Sequence, residues 1–267
     1  MKIFCAIFLS VILFSGCTQK SVFKTEITED VQVMTNTVMS VSEKQGWGLK
    51  KNKNAPPDVP EQTIELLKKY GAIYKSDESK TLYLTFDEGY ENGYTAKILD
   101  VLGENQVPAA FFVTGPYIKK EKELVKRMTL EGHIVGNHTV NHPSLPDVSE
   151  EEIKSELENL SKSYYDLCGK EMKFFRPPMG EYSEKTLDIT SKMGYTNVFW
   201  SFAYKDWETN NQKGTGYAYN QIMEGVHDGA ILLLHAVSKD NAEVLDKVIK
   251  DLKSQGYVFK SLEELKK

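Results

Sequence analysis

Hydrophobic positions along the chain follow two alternating patterns. Short β-rich runs occur at TLYLTF (81–86), AAFFV (109–113), HIVGN (133–137), KFFRP (173–177), NVFWSFA (197–203), AILLLH (230–235) and YVFK (257–260). Between them apolar residues recur every three or four positions, the spacing of an amphipathic helix. The clearest such helix covers Ser149–Leu167 and opens with Ser149-Glu150-Glu151-Glu152, a capping-box pattern in which each end satisfies the other's free amide. Another, Asn241–Gln255, carries Val244, Leu245, Val248, Ile249 and Leu252 on one stripe and is stopped by Gly256. A shorter helical stretch near Glu61–Tyr70 follows the irregular lead-in Asn52–Pro60. Strands that alternate with helices predict a parallel sheet, because parallel neighbours need a crossover connection. A run as apolar as AILLLH predicts cover on both faces. Seven strands from residue 81 onward fit an α/β barrel of the (β/α)7 kind, and an open doubly wound sheet fits the same pattern.

The start of the chain breaks the alternation. Met1 to Cys17 reads MKIFCAIFLSVILFSGC, one lysine and then an apolar run about a dozen residues long. That is too short to span a bilayer, which takes roughly 20 residues, and it suits an export signal. The small residues before Cys17 resemble a bacterial lipobox, which implies lipidation of Cys17 and a membrane anchor on the outer face of the cytoplasmic membrane. Residues 18–46 read as a tether and 47–267 as a single catalytic domain with a lead-in to about residue 79. The full chain of 267 residues is 40% hydrophobic and 11% aromatic, which excludes a disordered chain. Its formal charge of -5 lacks the basic footprint of a nucleic-acid binder. Cys5 would leave with the signal and Cys17 would carry lipid, so Cys168 stands alone as a packing residue and no disulfide framework is available.

Polar residues fall at the ends of the predicted strands. Asp87 and Glu88 follow the first, His138 and His142 the third, Arg176 the fourth, Asp206 and Trp207 the fifth, and His235 ends the sixth. In a parallel sheet all carboxyl ends share one side, where α/β proteins build their sites. His138 and His142, four apart in HTVNH, would present both imidazoles to a divalent metal if they lay on one helical turn, with Glu88 as third ligand and an open position for water. Zinc suits such a set, as do cobalt, manganese and nickel. Adjacent Asp87 and Glu88 point apart in an extended chain, so one can bind metal while the other accepts a proton. Arg176, held by two following prolines, would clamp a carboxylate through two parallel hydrogen bonds, with Asp87 the natural partner. A carboxylate such as Asp206 would fix the tautomer of His235 and favour its imidazolium. His133 and His227 read as turn residues.

The motifs TFDEG (85–89), HTVNH (138–142), RPPMG (176–180), DW (206–207) and LLLH (232–235) resemble, in order and spacing, those of the polysaccharide deacetylases, the NodB-homology or family 4 carbohydrate esterases. WGLKKNKNAPPD (47–58), LTFDEGYENGYT (84–95), FWSFAYKDWETNNQKG (199–214) and HAVSKDNAEVLD (235–246) resemble the muramic-δ-lactam-forming peptidoglycan branch of spore formers. The resemblance implies a distorted (β/α)7 barrel that hydrolyses the N-acetyl amide of N-acetylmuramic acid in strands freed of stem peptide, leading to the δ-lactam of spore cortex. It implies Asp87 as general base, Arg176 as its positioning residue, His235 as acid, Asp206 as the carboxylate that tunes it and the Met179 amide as oxyanion donor. His138, His142 and Glu88 would hold the metal, weakly, because the family has Asp where this chain has Glu88. Tyr90, Asn92, Trp207, Asn210 and Asn211 would contact substrate. The expected partners are a peptidoglycan strand and, through the lipid anchor, the membrane (of the forespore, for a cortex enzyme), with no nucleic acid and the chain a monomer. A deacetylase of another glycan (peptide-bearing peptidoglycan, chitin or xylan) and an inactive glycan-binding module are the alternatives.

Overall fold

Apolar residues on both faces of the longer strands, with helices between, produce a curled parallel sheet wrapped in helices. The computed structural model describes residues 43–265; the signal segment, Cys17 and the tether up to residue 42 lie outside the described residues. In chain order the elements are β1 (Gln45–Gly46), α1 (Glu61–Lys69), β2 (Thr81–Glu88), α2 (Thr95–Asn105), β3 (Ala109–Val113), α3 (Gly115–Lys120), α4 (Lys122–Leu130), β4 (Ile134–Asn137) and α5 (Glu150–Cys168). There follow β5 (Phe174–Phe175), β6 (Glu181–Tyr182), α6 (Glu184–Lys192), β7 (Thr196–Asn197), α7 (Thr215–Gly225), β8 (Ala230–His235), α8 (Lys239–Ser254) and β9 (Val258–Phe259).

The main sheet has seven strands in the order β7-β5-β4-β3-β2-β8, with β9 beside the start of β2, all parallel. Of the fifth predicted strand, 197–203, only Asn197 belongs to regular strand, as the end of β7, and the segment then crosses the gap between the sheet edges. Val198 N–H donates to Phe175 O at 2.8 Å, and Leu233 N–H donates to Phe202 O at 2.8 Å. One segment therefore touches β5 at its start and β8 at its end, which curls the sheet into a distorted barrel.

Side-chain parity sorts the interior from the helix layer. Leu82, Leu84 and Phe86 of β2 and Leu232 and Leu234 of β8 pack outward against Ile98 and Leu99 of α2 and Val248 and Ile249 of α8. Tyr83 of β2, Phe112 of β3, Val198 and Ile231 of β8 fill the inside. On that parity Thr85, Asp87, Leu233 and His235 also face inward.

Two sequence expectations change here. Ser149 Oγ accepts from Glu152 N–H at 3.1 Å, so α5 has its N-cap but lacks the reciprocal half of the box. Residues 44–46, read as the end of a tether, belong to the folded domain. Gln45–Gly46 pairs antiparallel with β6, and Lys44 bridges Asp147 at 2.7 Å and Glu181 at 2.9 Å. Cys168 packs at the core margin and its Sγ accepts from Thr129 Oγ1, consistent with a packing role. His133 and His227, expected in turns, are buried. Among the described residues no helix is long and apolar enough to cross a membrane.

Candidate active site

Strand ends converge as expected. Asp87 and His235 are direct partners across β2 and β8, so their side chains stand one interstrand spacing apart on the same face. Both line a cavity of about 650 Å³ with Trp47, Gly89, Tyr90, His138, His142, Met179, Trp200, Tyr204, Lys205, Trp207 and Val237.

Asp87 is held from behind. Arg176 is fully buried, donates from Nη1 to Asp87 Oδ1 at 2.8 Å, from Nη2 to Thr85 Oγ1 at 2.9 Å and from Nε to Val198 O at 3.1 Å. The two-bond clamp on one carboxylate is therefore not what forms. The guanidinium divides its donors between Asp87, the next inward residue of β2 and the crossing segment, which leaves Asp87 Oδ2 for the cavity. The Arg176 guanidinium also lies 4.2 Å over the Phe112 ring. Burial pushes the Asp87 carboxyl up, but the charges of Arg176, His138 and His235 outweigh it and hold its pKa below the ordinary value.

His138 and His142 meet through a loop, not a helical turn. Thr139 and His142 adopt left-handed φ of 66° and 57°, which a helix forbids. Glu156 of α5 fixes the loop by accepting from Asn141 N–H at 2.7 Å and Asn141 Nδ2 at 2.6 Å. Asn137 Oδ1 accepts from Thr139 N–H at 2.9 Å. The two rings stand 4.8 Å apart, edge to face. His138 Nδ1 donates to Arg176 O at 2.8 Å, so Nε2 keeps its lone pair, 3.6 Å from Asp87 Oδ2. Burial lowers the His138 pKa to about 4, so the ring is neutral, as ligation requires.

Glu88 departs from expectation. β2 continues through it, and parity turns it outward, away from the histidines. It is fully buried and neither carboxyl oxygen has a hydrogen-bond partner. Burial, with the charges of Glu91 and Asp87, raises its pKa well above 4.5. The two imidazoles fit a divalent cation as nitrogen donors; Glu88 does not complete the set. Among the described residues no group of three His, Cys, Asp or Glu is arranged to hold a metal.

On the β8 side Asp206, buried, accepts from three donors: His235 Nδ1 at 2.7 Å, His235 N–H at 2.9 Å and Asn241 Nδ2 at 2.6 Å. Burial lowers the His235 pKa, but the charge and hydrogen bond of Asp206 outweigh it, and the imidazolium is favoured. Met179 has a left-handed φ of 58° between Pro178 and Gly180 and lines the cavity, as do Tyr90 and Trp207, both half exposed. The Trp207 ring lies 5.3 Å from that of His235.

The three asparagines lie outside the cavity lining, and two of them hold loops. Asn92 Nδ2 donates to Val237 O at 2.9 Å, and Asn211 donates to Glu208 through N and Nδ2, each at 3.0 Å. Asn210 lies on the exposed part of the same loop, and neither it nor Asn92 nor Asn211 lines the cavity. The lining residues Trp47, Trp200, Tyr204 and Lys205 escaped a reading based on strand ends. Their signal was the WGLKK and FWSFAYKDW stretches, which carry the closer resemblance.

Comparison with known proteins agrees with this geometry. The family model described as polysaccharide deacetylase matches residues 74–198. The chain belongs to the polysaccharide deacetylases, carbohydrate esterase family 4, and is a hydrolase of that metal-dependent family. It is 50% identical over 222 residues to the peptidoglycan-N-acetylmuramic acid deacetylase PdaA of Bacillus subtilis (strain 168), covering 82% of this chain and 84% of the relative. The solved structure of B. subtilis PdaA superposes with a TM-score of 0.82 at 48% identity, over 84% of this chain and 97% of that one. A family 4 carbohydrate esterase from Bacillus anthracis superposes with a TM-score of 0.71 at 46% identity, over 84% and 96%.

Proposed function

We propose that this chain removes the N-acetyl group of N-acetylmuramic acid in peptidoglycan strands that lack stem peptide, leaving the amine from which muramic-δ-lactam forms in spore cortex. The observation that carries the reading is the pairing of Asp87 and His235 across β2 and β8 in one cavity, a carboxylate and an imidazolium spaced to act on a small acyl group. The likeness to a deacetylase of N-acetylmuramic acid supports the substrate.

An amide needs help at both ends. Asp87 Oδ2, with Oδ1 fixed by Arg176, takes the proton from the attacking water. The Met179 amide donates to the oxyanion, a contact of a kind worth about 3–4 kcal/mol. His235, kept charged by Asp206, gives its proton to the departing nitrogen and acetate leaves. His138 and His142 would hold a divalent cation, zinc in our reading with cobalt, manganese or nickel as substitutes, and it would supply Lewis acidity to the reaction. With two protein ligands it would be held weakly. Tyr90 and Trp207 offer their faces to the sugar. The lipobox-like segment supports export and anchoring through Cys17 at the outer face of the cytoplasmic membrane, the chain acting as a monomer.

Acetate release from stem-free glycan strands tests the proposal. Asp87→Asn should lower the rate at least about 100-fold with the melting curve retained. Acetate release from N-acetylglucosamine residues alone would overturn the substrate assignment.

A further inference from the structure

Resting on the substrate reading above, one question remains: how the site tells muramic acid from glucosamine. The two sugars differ by the lactyl ether on O3, which in a stem-free strand ends in a free carboxylate. O3 neighbours the carbon that bears the scissile acetamide, and the lactyl carboxyl can reach the nitrogen at C2, since the δ-lactam forms between them. A group that recognises this carboxylate must therefore sit at the rim of the same cavity and carry positive charge.

The cavity offers few cations. His235 is engaged through Nδ1 with Asp206 and serves as the acid, His138 Nδ1 is taken by Arg176 O, and Arg176 lies behind Asp87 with its donors committed. Among the lining residues Lys205 is the one lysine or arginine. It precedes Asp206 and Trp207, so one tripeptide carries a cation, the carboxylate that holds His235 and an exposed aromatic face. Its loop is pinned: Gln212 Nε2 donates to Asp206 O and to Glu208 O, both at 3.0 Å, and Ser238 Oγ donates to Gln212 Oε1 at 2.7 Å. The backbone that presents Lys205 is thus tied to the start of α8 and to the acid dyad.

The Lys205 side chain itself is loosely engaged. Its Nζ lies 2.6 Å from Glu208 Oε1, with the two side chains 61% and 38% exposed, the kind of surface pair worth little. Glu208 Oε2 keeps its hydrogen bond from Asn211 Nδ2 at 3.0 Å when the lysine leaves. We infer that Lys205 exchanges Glu208 for the lactyl carboxylate of a stem-free muramic acid and so selects that sugar. A stem peptide converts the carboxylate to an amide and removes the charge that Lys205 reads.

The test compares two substrates: stem-free strands with free lactyl carboxylates, and the same strands with those carboxyls converted to methylamides. For the wild-type protein kcat/KM should favour the free carboxylate about 10-fold, mainly through KM, the worth of one partly exposed charge-assisted hydrogen bond. The preference should collapse to about unity in Lys205→Gln, survive in Lys205→Arg and shrink for the wild type at high salt. A Lys205→Gln protein that keeps the wild-type preference would overturn the inference, as would equal loss of the preference in Lys205→Arg. Failure of the substrate reading looks different: the wild type then releases acetate from neither muramyl substrate but does so from glucosamine residues.

Discussion

His235 owes its charge chiefly to Asp206, with Asp87 adding to it. Asp206 offsets the burial that would otherwise strip the proton from the ring, and it accepts from the backbone N–H of the same residue. In Asp206→Asn the pKa of His235 should fall, and the alkaline limb of the kcat/KM profile should move to lower pH. At pH 8 the activity should drop about 100-fold, with a smaller loss at pH 6. A uniform loss at every pH would argue against an acid role for His235. Glu88 shows how a motif can mislead at this scale. The adjacent Asp87-Glu88 was legible as two carboxylates pointing apart, but the sequence could not say how far the strand runs. Because β2 continues through residue 88, the parity that aims Asp87 at the cavity aims Glu88 into the helix layer.

Elements were legible where apolar runs are long. β2, β3 and β8 and helices α5 and α8 lie within a residue or two of expectation, because burial on both faces leaves little choice. The HTVNH loop was not legible, since its geometry rests on left-handed Thr139 and His142, conformations that sequence does not favour and that Glu156 and Asn137 impose from outside. Nor were the asparagine roles, which depend on partners far along the chain. Gly136 of β4 is a tighter case. It lies opposite Phe112 of β3, and a Cβ there would come within 2.5 Å of the Phe112 ring. That ring supports Arg176. Gly136→Ala should cost about 1–3 kcal/mol in urea unfolding, and should lower kcat by moving Arg176 against Asp87. Loss of stability with full kcat would separate the strand from the site.

For the molecule as a whole, Glu88 sets a dependence of stability on pH. The unfolded chain releases this proton near 4.5, whereas the folded chain retains it to a higher pH. The unfolded state thus binds fewer protons in that window, and stability, intact below 4.5, declines as pH rises toward the folded pKa. Glu88→Gln removes the ionisation. Its melting temperature should exceed that of the wild type by a few degrees at pH 8 and match it near pH 4. A wild-type advantage at pH 8 would mean that Glu88 is ionised and paired. The barrel itself was legible as one of two architectures. What decided between them is the 198–202 segment, whose bridging of both sheet edges depends on only a few hydrogen bonds.

The side-by-side seating of Asp87 and His235 on neighbouring strands has a consequence for inactivation. The two groups keep their spacing while the backbone between them remains knitted, so losing that spacing requires opening the β2–β8 ladder. Equally, a single-codon insertion within either strand would send one partner to the helix side, and because both faces of these strands are buried it would disturb the core together with the chemistry.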